Sequence, residues 1–211
     1  MIEIDFKKIE LEDKDLITHY FKHHTSRSCE RTFVNVYLWA RFYHVKFAEV
    51  EHTLVFRTED EDGFSFAYPA GEPENVKKAL DVLMVYSKER GVPFLMYTVT
   101  PDNFEYLEKW YPGRFEIEYV EGDADYVYES EKLATLSGKK LHSKRNHVNK
   151  FKIVYADRWS YEPISEDNLE ECVQTGLKWR NENGCEEDEE KNAELCVTLN
   201  SLRLFKELDL V

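Results

Sequence analysis

Apolar and polar positions along the chain alternate between two periods, and the switches between them predict the elements. Ile2, Ile4 and Phe6 alternate as in a strand, and Lys14 to His24 follows as a short helix. Thr32 to Phe42 is dense in apolar and aromatic side chains (Phe33, Val34, Val36, Tyr37, Leu38, Trp39, Phe42) and is assigned to the core. Short strands are predicted at 44–50, 53–58 and 63–68. Glu51-His52 is short enough for a hairpin turn, and Glu59 to Asp62 before Gly63 makes an acidic hairpin tip. Val76, Leu80, Leu83 and Ser87 trace the inner stripe of a helix from Glu74 to Arg90, stopped by Gly91. A buried strand at 92–99 precedes Thr100-Pro101-Asp102, a helix start with Thr as N-cap and Pro in the first turn.

Further strands are predicted at 114–121, 125–129 and 153–160. A helix capped by Ser165-Glu166-Asp167 carries Leu169, Cys172, Val173 and Leu177 inward, and a last helix runs from Ala193 to Leu208. Between these helices, Glu182 and residues 186–190 form an acidic stretch. This order of strands and helices predicts an α+β, layered α/β fold with a mixed, mostly antiparallel sheet.

The most distinctive stretch is 132–152, KLATLSGKKLHSKRNHVNKFK. From Gly138 to Lys152 it holds Lys139, Lys140, Lys144, Arg145, Lys150 and Lys152 and no acid. These six charges sit in a chain of net charge -14, so the remainder sums to -20. A patch of one sign in a protein of the other costs self-repulsion unless an anion compensates it, whether a ligand phosphate or the chain's own acidic surface. Leu133, Leu136 or Leu141, Val148 and Phe151 recur at helical spacing and predict a buried stripe. Ser137-Gly138 leaves one long helix or two short ones open.

Composition narrows the class. The chain has 211 residues, 42% of them hydrophobic and 14% aromatic, enough for one large domain or two small ones. Its mean hydropathy is -0.61, its longest apolar run is far short of the ~18–20 residues a bilayer requires, and its charged N-terminus lacks a signal-peptide core; a cytoplasmic location is expected. The scattered Cys29, Cys172, Cys185 and Cys196 form no C-x-x-C pair and are read as thiols. A pI near 5.0 argues against bulk nucleic-acid binding while leaving room for a local basic groove. His19 and His23, four apart, lack the third ligand that zinc needs. The eight glycines form no G-x-G, so there is no Rossmann fingerprint, P-loop or ordinary acetyl-CoA pyrophosphate loop, and no G-x-S-x-G elbow occurs.

Two segments carry a family resemblance: DYVYESEKLATLSGKKLHSKRNHVNKF at 125–151 and TFVNVYLW at 32–39. In that order they resemble the phosphatidylglycerol lysyltransferase C-terminal domain family. The resemblance implies two acyltransferase-like (GNAT-type) lobes. The first spans 1–131, and 132–211 holds the basic helix and an incomplete second lobe, expected to be truncated or degenerate. It also implies aminoacyl transfer from charged tRNA to a lipid headgroup, or here to a soluble acceptor or a membrane reached transiently.

The residues fit such chemistry. An aminoacyl ester is already activated, so an enzyme need only position the acceptor and stabilise the oxyanion. No catalytic residue is singled out. Lys139, Lys140, Lys144, Arg145 and Lys150 are the candidate phosphate ligands, with His142, Asn146 and Asn149 as shorter-range donors and Tyr126 and Tyr128 as cavity-liners. Arg145, mid-helix beside the predicted apolar stripe, is expected to have an anionic partner. No cofactor is assigned beyond aminoacyl-tRNA or acyl-CoA as co-substrate. The competing functions are a non-catalytic docking module, with the basic helix against an acidic partner such as 186–190, and an acyl-CoA-dependent N-acyltransferase.

Overall fold

The computed structural model describes residues 1–22, 26, 28–124, 126–185 and 187–210. His23, the second member of the His19/His23 pair, Asp125 at the head of a predicted strand, and Glu186 of the acidic stretch lie outside the described residues.

By its internal contacts the chain divides into two units. One comprises Met1–Ile117 together with the chain from Glu166 onward, and the other is Glu118–Ser165. Residues after 165 therefore group with the N-terminal part, a division different from a boundary at 131/132.

The first unit is built on a five-stranded sheet in sequential order: β1 (Lys7–Lys8), β2 (Val45–Val50), β3 (Thr53–Asp60), β4 (Gly63–Ala67) and β5 (Met96–Tyr97). Neighbours pair antiparallel except β4 and β5, which are parallel. The crossover between these two is α3 (Pro73–Arg90), as a parallel pair requires. α3 starts at Pro73, whose missing N–H costs nothing in the first turn. It stops at Gly91, whose φ of 69° lets its N–H reach the carbonyls of Ser87 and Lys88. The β2–β3 hairpin closes on Glu51 and His52 with φ of 50° and 58°, a primed turn made without glycine because the ladder on either side holds it. At the β3–β4 turn, Asp60 Oδ1 accepts from the N–H groups of Asp62 (2.9 Å) and Gly63 (3.0 Å).

α1 (Lys14–Phe21), α2 (Phe33–Trp39) and α8 (Glu189–Arg203) contribute to the layer on one face, where Ile17, Phe21, Phe33, Leu38, Phe47, Leu54 and Phe56 form a core with Leu208. The aromatic stretch after Thr32 is thus helical; the Thr32 hydroxyl accepts from the Asn35 N–H and caps it. The other face packs Ala48, Val50, Val55 and Phe66 against Ala79, Leu83 and Tyr86 of α3. A third cluster joins α3 to α4 (Pro101–Trp110) through Tyr68, Val76, Leu80, Leu107 and Tyr111. The segment after α8 is tied to the start of α1: Lys14 Nζ donates to the Glu207 carbonyl and to Asp209 Oδ2, each at 2.6 Å. α7 (Leu169–Asn183) completes this unit; the residue at its N-cap is Asn168 rather than the predicted Ser165–Asp167.

The second unit holds α5 (Ser130–Thr135) and α6 (His142–Tyr155), separated by a turn. Three predicted strands do not form. Residues 114–120 and 126–129 hold no regular secondary structure and join no ladder among the described residues, because an alternating pattern makes a strand only beside a partner edge. The β-branched Ile153-Val154 pair continues α6 instead, where Phe151 and Tyr155 meet one turn apart with ring centroids 4.8 Å apart. The predicted buried stripe is a second correction: Leu133, Val148 and Phe151 are exposed. Amphipathic spacing marks the side that favours burial and does not supply what covers it. The fold is α+β, with a five-stranded mixed sheet and eight α-helices among the described residues.

Candidate anion-binding turn and helix

The basic run forms two helices and a turn. α5 ends at Leu136 in the left-handed region (φ 49°), Gly138 follows at φ 88°, and a short 3-10 turn over Lys139–Leu141 leads into α6. Gly138 is needed here, since that φ is strained for most side chains. Arg145, in the second turn of α6, reaches back over the connection. Its Nη1 donates to the carbonyls of Leu136 and Gly138, the latter at 2.9 Å. The expected partner of Arg145 was an anion; the observed partners are backbone carbonyls, which leaves the remaining guanidinium N–H groups available.

Beneath this brace Ser137, Gly138, Lys139, His142 and Arg145 line an open concavity of about 600 Å³. Leu141 occupies the N-cap position of α6 and offers no capping side chain, and the first turn holds no acid. The helix start therefore presents its positive end together with Lys139, Lys140 and Lys144. None of Lys139, Lys140, Lys144, Lys150 or Lys152 forms an ion pair among the described residues. A helix start, a glycine-bearing turn and uncompensated cations together suit an oxyanion of phosphate type.

The other candidates fall in two groups. Asn146 lies one turn from His142, with Nδ2 3.3 Å from its Nε2. Asn149 and Lys150 are exposed further along α6. Tyr126 and Tyr128 lie on a segment without regular secondary structure, 89% and 60% exposed, and neither lines the concavity. Ser137 was not singled out from sequence, although its place beside Gly138 at the helix break was the available signal.

The family model for phosphatidylglycerol lysyltransferase, C-terminal, matches residues 21–211. The chain belongs to this family. The match takes in both the Thr32–Trp39 segment and the whole basic run. A crystal structure similar to this lysyltransferase C-terminal family member is that of a conserved protein of unknown function from Bacteroides thetaiotaomicron VPI-5482. It has 32% identity and a TM-score of 0.88, covering 98% of this chain and 69% of that one. An uncharacterized protein of Mycoplasmoides gallisepticum is 31% identical over 90 residues, 42% of this chain. The matched part is 29% of that curated relative's length. Among the described residues no helix is long and apolar enough to cross a membrane.

Proposed function

We propose that this chain is an aminoacyltransferase-type protein of GNAT-like architecture, which takes its aminoacyl group from charged tRNA and passes it to a lipid headgroup or a soluble acceptor. In this reading the 139–152 segment holds phosphates of the tRNA acceptor end. The acceptor's hydroxyl or amine attacks the ester carbonyl, and the new ester or amide bond forms as the tRNA ribose oxygen departs. The acceptor's proton ends on that ribose hydroxyl. The chain's part is to bind, orient and stabilise charge rather than to supply a nucleophile.

The observation that carries this reading is the start of α6, which has no capping side chain, with Lys139, Lys140 and Lys144 forming no ion pair among the described residues around a turn braced by Arg145. Family membership supports the reaction class. A docking module is the second reading, favoured by the exposed apolar side chains Tyr126, Val127 and Ile153 in the same unit.

The test is titration of aminoacyl-tRNA, uncharged tRNA and acetyl-CoA at several salt concentrations. The wild type is compared with Lys139→Glu/Lys140→Glu/Lys144→Glu, its fold checked by circular dichroism. The expected result is tightest binding of aminoacyl-tRNA, with a steep salt dependence that the variant loses. Binding of acetyl-CoA alone, or tRNA binding that the charge reversal leaves intact, overturns it.

A further inference from the structure

The sheet-bearing unit contains a second concavity, of about 600 Å³, unrelated to the basic run. It opens at the carboxyl ends of the parallel strands β4 and β5, where the chain enters α3 and α4. Ends of parallel strands are where open α/β sheets place ligands. Its polar lining is Glu72, Asp102, Asn103, Glu105 and Lys109; Tyr68 and Tyr106 are its aromatic walls.

Two helix starts facing one cleft ordinarily suggest an anion, and here that option is closed. Pro73 and Pro101 have no N–H. In α3 the N–H groups of Asn75 and Val76 both bond the Glu72 carbonyl, each at 2.9 Å. In α4 the Asn103 N–H bonds Thr100 Oγ1 at 3.3 Å and the Phe104 N–H bonds the Thr100 carbonyl at 2.9 Å. The amides left over in these first turns belong to Glu74 and Asp102, whose own carboxylates repel an anion. Three carboxylates against one ammonium give the lining a net charge of -2. Asp102 and Glu105 form no ion pair among the described residues.

Tyr68 supplies an independent indication. It is 3% exposed, and its backbone is fully engaged: its N–H bonds the Tyr97 carbonyl at 3.1 Å, and its carbonyl accepts from Arg31 Nη2 at 2.7 Å. Its hydroxyl, in contrast, has no hydrogen-bond partner among the described residues, although the residue lines the cleft. The oxygen keeps a trace of solvent contact where the residue lines the cleft, so it is open to a donor from a ligand. Burial first, and then the neighbouring Tyr106, pushes its ionisation far upward, so the oxygen is a neutral acceptor. No three acidic, histidine or cysteine side chains among the described residues converge closely enough to hold a metal ion.

We propose that this cleft binds a small organic cation: a primary amine on an apolar stem, with the ammonium between Asp102, Glu105 and the Tyr68 hydroxyl and the stem against Tyr106. The aromatic face and the carboxylates both favour such a group. The site stands apart from the tRNA reading and does not depend on it.

The test is calorimetric titration of the whole chain with n-pentylamine, leucine methyl ester, 1-pentanol, pentanoate and inorganic pyrophosphate. The two amines are expected to bind and the other three are not. A tighter fit for the amino ester assigns the site to an aminoacyl group; equal affinity assigns it to a free amine. Asp102→Asn/Glu105→Gln should weaken the amine roughly tenfold, two exposed charges each contributing a few-fold. Tyr68→Phe, which keeps the packing and removes only the unpartnered hydroxyl, should weaken it about tenfold while leaving unfolding unchanged. Tighter binding of pentanoate or pyrophosphate, no amine binding at millimolar concentration, or amine binding that both variants leave intact overturns the proposal.

Discussion

Gly71 lies between the cleft and the sheet, and it offers a sharp test of how that junction is packed. The paired bonds between Leu54 and Ala70 (2.8 and 2.9 Å) bring the start of β3 against the entry to α3. A Cβ on Gly71 would lie 2.8 Å from Thr53 Cγ2, 3.2 Å from Thr53 Cβ and 3.3 Å from the His52 carbonyl. Thr53 is fully buried, and its hydroxyl is committed to the Val50 carbonyl at 2.7 Å, so it cannot turn away cheaply. Gly71→Ala should therefore destabilise by about 1–3 kcal/mol as an overpacking change. Thr53→Ser removes the one methyl that clashes most and keeps the hydroxyl bond; alone it should cost about 1 kcal/mol for the lost buried methyl. Combined, the two changes should cost little more than Thr53→Ser by itself, a coupling of about 1–2 kcal/mol. Urea unfolding of the four proteins, at unchanged m, measures this cycle. Additivity within about 0.5 kcal/mol would refute the packing argument, because independent sites behave that way.

Two other outcomes follow from groups at different places. Asp81 on α3 accepts from Lys77 (2.9 Å) and from the Tyr111 hydroxyl (2.7 Å). Burial works against its charge, but these bonds and the Lys77 ammonium outweigh it and hold its carboxyl below the usual range. Its folded pKa being lower than its unfolded one, the contribution is complete above the ordinary carboxylate value and is lost as the pH falls through the folded value. The stability gap between wild type and Asp81→Asn should shrink from pH 5 towards pH 2 in unfolding titrations; a gap independent of pH contradicts this. Arg145→Lys keeps the charge and loses the fork that spans the Leu136 and Gly138 carbonyls. Hydrogen exchange across 136–142 should speed up while the salt dependence of tRNA binding stays the same, and the reverse pattern would make Arg145 a phosphate ligand with no bracing role.

What could be read from the residues was what neighbours in sequence decide. α3 was legible from Glu74 to Arg90, one residue short of its start at Pro73, because its inner stripe and its stop at Gly91 are local signals, and so were the acidic β3–β4 tip and the Thr100 cap. The basic run was legible as a run for the same reason, its cations being contiguous. Where an element depends on a distant partner, pattern failed: 114–121 alternates like a strand and has no edge to join, and Val148 and Phe151 keep helical spacing on a side that nothing among the described residues covers. The amine cleft was hidden because it needs the parallel pairing of β4 with β5, which brings two helix starts together from separate stretches. The aromatic run after Thr32 was rightly placed in the core, while its helical form turns on the Thr32 cap.

The clasp between Lys14 and the Glu207–Asp209 segment spans 193 residues of sequence. During synthesis, at roughly 5–20 residues per second, the sheet, complete once β5 ends at Tyr97, waits on the order of 5–20 s before Leu208 arrives to close its apolar side. For that interval Phe47, Leu54 and Phe56 lack their last neighbour. Vectorial folding thus carries a built-in delay: the apolar face that Leu208 covers stays open while the whole of Glu118–Ser165 is being made.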